Sequence, residues 1–208
     1  MSDRGIPVTS VQELEALVGT PEPRTARKVR SRLHVVDRAW LAAAPLALIA
    51  TADGRGHLDV SPKGDPAGFA AVLDDTTIAI PERPGNRRAD GFHNILANPH
   101  VGLLFVIPGR GDTLRINGHA TIVRDAAFLD DMVVRGHRPT IALVVDIDEV
   151  FFHCSKAFLR SKAWEPETWA PDAAPRRAVI AQAVERQDET IDALDEYYGP
   201  AYADRIYG

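Results

Sequence analysis

The chain has 208 residues, 45% of them apolar and 25% charged, which suits one folded domain of ordinary composition and argues against wholesale disorder. Twenty-nine acids against twenty-four bases give a formal charge of −5, a poor match to a nucleic-acid binder, although a few local cations can still hold a small anion. The single cysteine, Cys154, excludes an internal disulfide framework and a multi-cysteine zinc site and fits a reducing compartment. The first residues lack the apolar core of a signal peptide. The longest apolar run, Ala39 to Ala50, is broken by Pro45 and falls short of the roughly 20 residues of a membrane span. A cytoplasmic protein without membrane or nucleic-acid partners is the expectation.

In chain order, Ser10 to Glu13 reads as a capping box, with Val11, Leu14, Leu17 and Val18 as the apolar stripe of a short helix that stops at Gly19. Residues 24–38 carry six bases against Asp37 alone, and Val29, Leu33, Val36, Trp40 and Leu41 keep helical spacing up to Pro45. The rhythm then changes to short strands: Leu46–Thr51, His57–Ser61, Gly68–Leu73 and Thr76–Ile80. Residues 87–97 read as a helix that Asn98-Pro99 stops. Strands follow at Val101–Ile107, Thr113–Val123 and Ile141–Ile147, the last extended by Val150–His153, with helices over 125–133 and 155–162. Many strands joined by turns, with few helices between them, point to an antiparallel barrel rather than a doubly wound parallel sheet. Beyond Trp169 and a Pro/Ala linker, a long helix is expected over about 176–198. Its stripe of Ile180, Val184, Ile191, Leu194 and Tyr198, with Gln187 in the gap, describes a seam against another helix. Its acidic outer face is either solvated or paired with the basic run at 24–38.

Four stretches carry possible chemistry. In Ile80–Arg88 a strand ends at Pro81, a turn carries Pro84 and Gly85, and Asn86 suits a helix N-cap. Arg87 and Arg88 then fall in the first turn, where the helix dipole disfavours cations, so an anion such as a phosphate monoester is one reading and pairing with Glu82 and Asp90 the other. Ser61 and Lys63 end a strand in a Pro/Gly loop that allows close backbone approach to a ligand. Thr113, Arg115 and Asn117 alternate with Leu114 and Ile116 and should face outward. Phe151 to Trp164 sets aromatics beside Lys156, Arg160 and Trp164. No dinucleotide or P-loop glycine motif and no nucleophile elbow occurs, and the seven histidines have no zincin spacing, so no metal site is expected. Cys154 reads as a small buried residue.

Taken in order, DVSPKG, TIAIPERPGNRRADGFHNILANPHVGLLF, TLRINGHATIV and FFHCSKAFLRS resemble the pyridoxamine-5′-phosphate-oxidase-like flavoproteins, in particular a branch of probable FMN-dependent proteins, over about Leu46 to Trp164. The resemblance implies a mainly β fold with flanking helices (α+β), an antiparallel split β-barrel of the FMN-binding type. Its divisions would be a helical arm over 1–45, the barrel over 46–169 and a C-terminal helix and tail over 170–208. It implies a homodimer with FMN at the subunit interface. Asn86, Arg87 and Arg88 would hold the phosphate. Ser61, Lys63, Pro81 and Glu82 would line the flavin, and Thr113 and Arg115 would reach the flavin of the other subunit, with Lys156 and Trp164 as further contacts. It implies hydride transfer through flavin N5 to or from a small-molecule substrate. The alternatives are a non-catalytic flavin carrier or redox sensor, a deazaflavin-dependent reductase, or a haem-utilisation barrel with His153 as ligand. The family's C-terminal Arg-x-His substrate clamp is missing, which argues against vitamin B6 oxidation. The terminal arms would serve dimer packing or cover the flavin.

Overall fold

A computed structural model describes residues 5–207. The first four residues of the expected N-terminal arm and the last residue of the tail lie outside it. One antiparallel sheet has the order β2-β1-β5-β6-β7-β4-β3. Its strands are β1 (Leu46–Ala52), β2 (Leu58–Gly64), β3 (Ala71–Val72), β4 (Thr77–Pro81), β5 (His100–Val106), β6 (Thr113–Arg124) and β7 (Ile141–His153). Hairpins link β1 to β2 and β5 to β6, and β6 and β7 form the longest ladder, Thr113 pairing with His153 and Arg124 with Ile141. The helices are α1 (Val11–Val18), α2 (Pro23–Ala26), α3 (Val35–Ala43), α4 (Asp90–Ala97), α5 (Lys156–Ser161), α6 (Arg177–Val184) and α7 (Ile191–Tyr197), with 3₁₀ turns between several of them.

Alternation along the strands builds the core. Ala47 and Ile49 of β1, Leu103 and Phe105 of β5, Leu114 and Ile116 of β6 and Val145 and Val150 of β7 are buried on one face, and Trp40 and Leu41 of α3 close over it. Fully burying each large side chain contributes roughly 1.5–3 kcal/mol. The sheet curls without closing: β2 and β3 are its edges, and the strands form no continuous ring of ladders. This is an open, split antiparallel barrel with flanking helices. β2 and the end of β4, with four strands between them in the sheet order, nevertheless meet across the gap, where Lys63 pairs with Glu82 and Asp65 with Arg83.

Several local expectations are corrected. The helical spacing over 29–41 yields a helix only from Val35, because the Arg30 backbone instead pairs with Val150 of β7 (N–H to O 3.1 and 2.7 Å). Nor is the C-terminal stretch one helix. Thr190 accepts a hydrogen bond from the Ala193 amide and starts α7, which packs back on α6 through Ala178, Ala181 and Leu194. The apolar seam thus folds onto itself. Among the described residues, three of its acids pair with arginines of the same segment, Asp195 with Arg176, Glu185 with Arg177 and Glu189 with Arg186, while in the basic run Arg30 pairs with Asp37 and Arg32 and Arg38 with Asp75. Helix α1 forms as expected, Ser10 capping the Glu13 amide at 3.1 Å, yet its stripe is exposed. Cys154 lies on the surface, just past the end of β7, rather than in the core. No helix among the described residues is long and apolar enough to cross a membrane.

Candidate functional site

A cleft of about 500 Å³ opens along the split in the barrel. Strand β2 forms one wall, its period-two pattern turning Asp59, Ser61 and Lys63 inward and Leu58, Val60 and Pro62 outward. The segment from Pro81 to the first turn of α4 forms the other wall. Helix α4 comes close because residue 91 is glycine: a Cβ there would stand 3.1 Å from Asp59 Oδ2. Six of the expected site residues line this cleft: Ser61, Lys63, Pro81, Glu82, Asn86 and Arg88. Arg87 lines instead a neighbouring groove of about 530 Å³ that shares Glu82 to Asn86 and Ala89 with the cleft and continues to His137, Arg138 and Tyr207.

Charge in the cleft is organised in pairs. Lys63 pairs with Glu82 and also lies over the Phe92 ring, 5.1 Å from its centroid. Ser61 donates to Asp59 at 2.6 Å. The most buried pair is Arg83 with Asp65, whose side chains are 13% and 1% exposed, and the same guanidinium donates to the carbonyls of Met132 (2.7 Å) and His137 (3.2 Å). Tyr207, from the C-terminal segment, donates to the second Asp65 oxygen and stacks on His137. That hydrogen bond raises the Tyr207 phenol above its usual range, with burial adding to it. Asp65 and Arg83 therefore anchor the wall segment between β4 and α4. Sequence reading missed both residues as site-builders; the signal available was an Asp and an Arg, each next to a proline, directly after two strands.

The arginine segment differs from its expectation. Helix α4 begins at Asp90 with Ala89 as its N-cap, so Asn86 is not the cap and neither arginine lies in the first turn. Asn86 Oδ1 accepts from the Arg88 amide at 3.1 Å, stabilising a loop. Arg87 (φ 63°) and Ala89 (φ 54°) are both left-handed, a conformation costing about 1–2 kcal/mol for a residue with a Cβ. Such strain persists only where surroundings impose it and clusters at ligand sites. Arg88 pairs with Asp90 at 2.7 Å, which holds its guanidinium above the ordinary value, and both side chains are exposed. Among the described residues none pairs with the Arg87 side chain.

The remaining expected residues lie outside the cleft lining. Arg115 and Asn117 project from the outer face of β6; Arg115 donates to Asn117 at 3.0 Å and lies over Phe151, 5.3 Å from its centroid. Thr113 shares that face by register but is buried rather than exposed. Lys156 is exposed at the start of α5, and Trp164 stacks on Phe158 and donates to the Arg110 carbonyl at 2.7 Å. Across the outer face one row reads Pro62, Leu48, Leu104, Arg115 and Phe151, and the next Val60, Ala50, Gly102, Asn117 and Glu149. Burial lowers the His153 imidazole, and the nearby Arg115 and Lys28 charges lower it further.

Among solved structures, HupZ of Group A Streptococcus is similar at 21% identity, over 58% of this chain and 93% of that one, with a TM-score of 0.47. An FMN-binding protein from Syntrophomonas wolfei is similar at 11% identity over 58% and 90%, TM-score 0.42. A FAD-binding protein from Mesorhizobium loti is similar at 19% over 60% and 96%, TM-score 0.40. No curated protein matches in sequence. The sequence profile described as pyridoxamine 5′-phosphate oxidase matches residues 36–154, from α3 through the last strand. Spanning more than half of the chain and every wall of the cleft, that match places the protein in the pyridoxamine 5′-phosphate oxidase family.

Proposed function

We propose that the cleft holds FMN and that the protein is an FMN-dependent oxidoreductase acting as a homodimer. The observation that carries this reading is the convergence of Ser61, Lys63, Glu82, Asn86 and Arg88 on one cleft within the segment that matches the family. The residues present fit a phosphorylated, planar ligand. At one end the strained loop offers Arg88, whose exposed pair with Asp90 is weak enough to exchange for a phosphate, while Arg87, unpaired among the described residues, would reach it by turning from the neighbouring groove. Toward the other, Phe69, Pro81 and Phe92 supply apolar wall, and Lys63 supplies a cation held in place by Glu82.

When bound, FMN would supply hydride transfer at N5, with the protein contributing orientation and electrostatics. Lys63 would set a positive charge beside the ring and so favour its anionic reduced form. Ser61, tied to Asp59, would present its hydroxyl at the strand end. The dimer reading is supported by the outer sheet face, where Leu58 is 80% and Val60 63% exposed and Arg115 rises from an otherwise apolar row. A second copy covering that face would bring Arg115 to a shared site.

The test is the absorbance of the purified protein, followed by FMN titration of the parent and of Arg87→Ala/Arg88→Ala. Two charge-assisted hydrogen bonds at about 1.5–3 kcal/mol each predict affinity weakened by about 10²–10⁴-fold. Unchanged affinity in the double variant refutes the phosphate assignment. A monomeric mass in light scattering refutes the dimer. Turnover with a nicotinamide donor and an added acceptor separates an oxidoreductase from a carrier.

A further inference from the structure

We propose that His100 and His119 form a two-histidine binding site for a divalent transition-metal ion, with Cu²⁺ preferred. The two residues stand directly opposite each other on β5 and β6, with their Nε2 atoms 3.1 Å apart. They are nineteen positions apart in the chain, so no spacing motif announces them. The groove beside them, lined by Leu58, Asn98, Gly102 and Asp148 among others, shares no lining residue with the flavin cleft.

Both rings are already held by their other nitrogen. His100 Nδ1 lies 2.7 Å from Asn98 Oδ1, and His119 Nδ1 lies 2.9 Å from Asp148 Oδ2. A metal-ligating histidine characteristically donates its second N–H to a carbonyl or carboxylate, which fixes the ring and frees the opposite nitrogen to coordinate. His100 has such a hydrogen bond to the Asn98 amide oxygen, and at His119 the Asp148 carboxylate stands at ion-pair distance from Nδ1.

The fold is built to deliver those partners. Asp148 is the extra residue of a bulge in β7: Asn117 pairs with Glu149 and Gly118 with Ile147, leaving Asp148 unmatched. A bulge re-aims a side chain that the regular pleat would send elsewhere. It depends on glycine at 118, where a Cβ would stand 2.0 Å from the Asp146 carbonyl oxygen. Asn98 ends α4, and the Ala120 amide donates to the Pro99 carbonyl at 2.8 Å, tying this turn to β6 beside His119.

The separation allows both nitrogens to reach one ion. With metal–nitrogen bonds of about 2.05 Å, nitrogens 3.1 Å apart subtend an angle of about 98° at the ion. That angle lets both imidazoles bind one ion side by side, imidazole suits Cu²⁺, Ni²⁺ and Zn²⁺ alike, and the general affinity order of divalent metals places Cu²⁺ first. Among the described residues no group of three or more candidate donors is assembled, so the remaining positions fall to water or to a donor from the second copy that the proposed dimer sets on this face.

The full chain carrying Cys154→Ser, which removes a competing thiol, is titrated with Cu²⁺, Ni²⁺ and Zn²⁺ by calorimetry in a non-coordinating buffer. Electron paramagnetic resonance of the Cu²⁺ form counts the nitrogen ligands. One Cu²⁺ bound at micromolar concentration through two nitrogens is expected. His100→Ala and His119→Ala should each weaken binding at least about 100-fold, and Asp148→Asn by about 10–100-fold. His57→Ala, at an exposed histidine held by Asp53, should leave it unchanged. Circular dichroism checks that each variant folds. Binding only at millimolar Cu²⁺, or full affinity retained in both His100→Ala and His119→Ala, overturns the proposal and leaves the pair as a hydrogen bond across the ladder.

Discussion

Replacing Arg83 by alanine tests whether the split in the barrel is held by buried charge. The guanidinium makes an ion pair with Asp65, whose side chain is 1% exposed, and donates to two backbone carbonyls. Removing it strands the carboxylate with Tyr207 as its remaining side-chain donor. Breaking a buried pair by deleting one partner costs about 3–5 kcal/mol. For a chain of this size each kcal/mol moves Tm by about 2–4 °C, so a fall of about 6–20 °C is expected in thermal denaturation. Asp65→Ala with Arg83→Ala should cost less than the sum of the two single changes, because no charge is then left buried alone. Tyr207→Phe removes one hydrogen bond and should cost only about 1 kcal/mol. A loss below about 1 kcal/mol for Arg83→Ala would show that the pair behaves like a solvated surface pair and refute the reasoning.

Other outcomes follow from single observations. Gly118→Ala forces a Cβ onto the Asp146 carbonyl; chemical denaturation should show a loss of at least about 1–3 kcal/mol, and wild-type stability would deny the bulge its need for glycine. The folded His153 imidazole is lowered by burial and by Arg115 and Lys28, so the fold favours its neutral form. Its contribution is complete above the ordinary histidine value near 6.5 and is lost as pH falls through the lower, folded value. A pH series of denaturation midpoints should therefore be flatter on the acid side for His153→Gln than for the parent. The Cys154 thiol is exposed and lowered, chiefly by the Lys156 backbone amide. Alkylation should proceed faster at neutral pH than for an ordinary cysteine, and an ordinary rate would count against that hydrogen bond.

What the sequence made legible were features dictated by local chemistry. Period-two alternation located the strands, since Leu103, Phe105, Leu114 and Ile116 must share one face, and the Ser10 cap and Gly19 bounded α1. What escaped were contacts decided at long range. The helical spacing over 29–41 lost to a backbone bridge between Arg30 and Val150. Asn86 looked like a cap, but the left-handed turns fall at Arg87 and Ala89, residue types that do not advertise φ above zero. The break before α7 was written in Thr190, a helix starter hidden inside an apolar stripe. Of the cleft lining, Ser61, Lys63, Glu82 and Arg88 were named through the family resemblance of their segments, since local composition left each of them an ordinary loop or strand-end residue. Asp65, Arg83 and Tyr207 were not, because only the curl of the sheet brings residues 65, 83 and 207 together.

That curl also determines how the molecule responds to its medium. A closed barrel is sealed by main-chain ladders, whose strength ionic strength barely changes. Here the end of β2 and the segment after β4 meet through Lys63–Glu82 and Asp65–Arg83, so the seam is electrostatic. The Asp65–Arg83 end is shielded and should hold in salt, while the Lys63–Glu82 end, with side chains 19% and 30% exposed, is open to screening. The split thus has a stiff end and a compliant end, and an elevated ionic strength would widen it from the Lys63 side first.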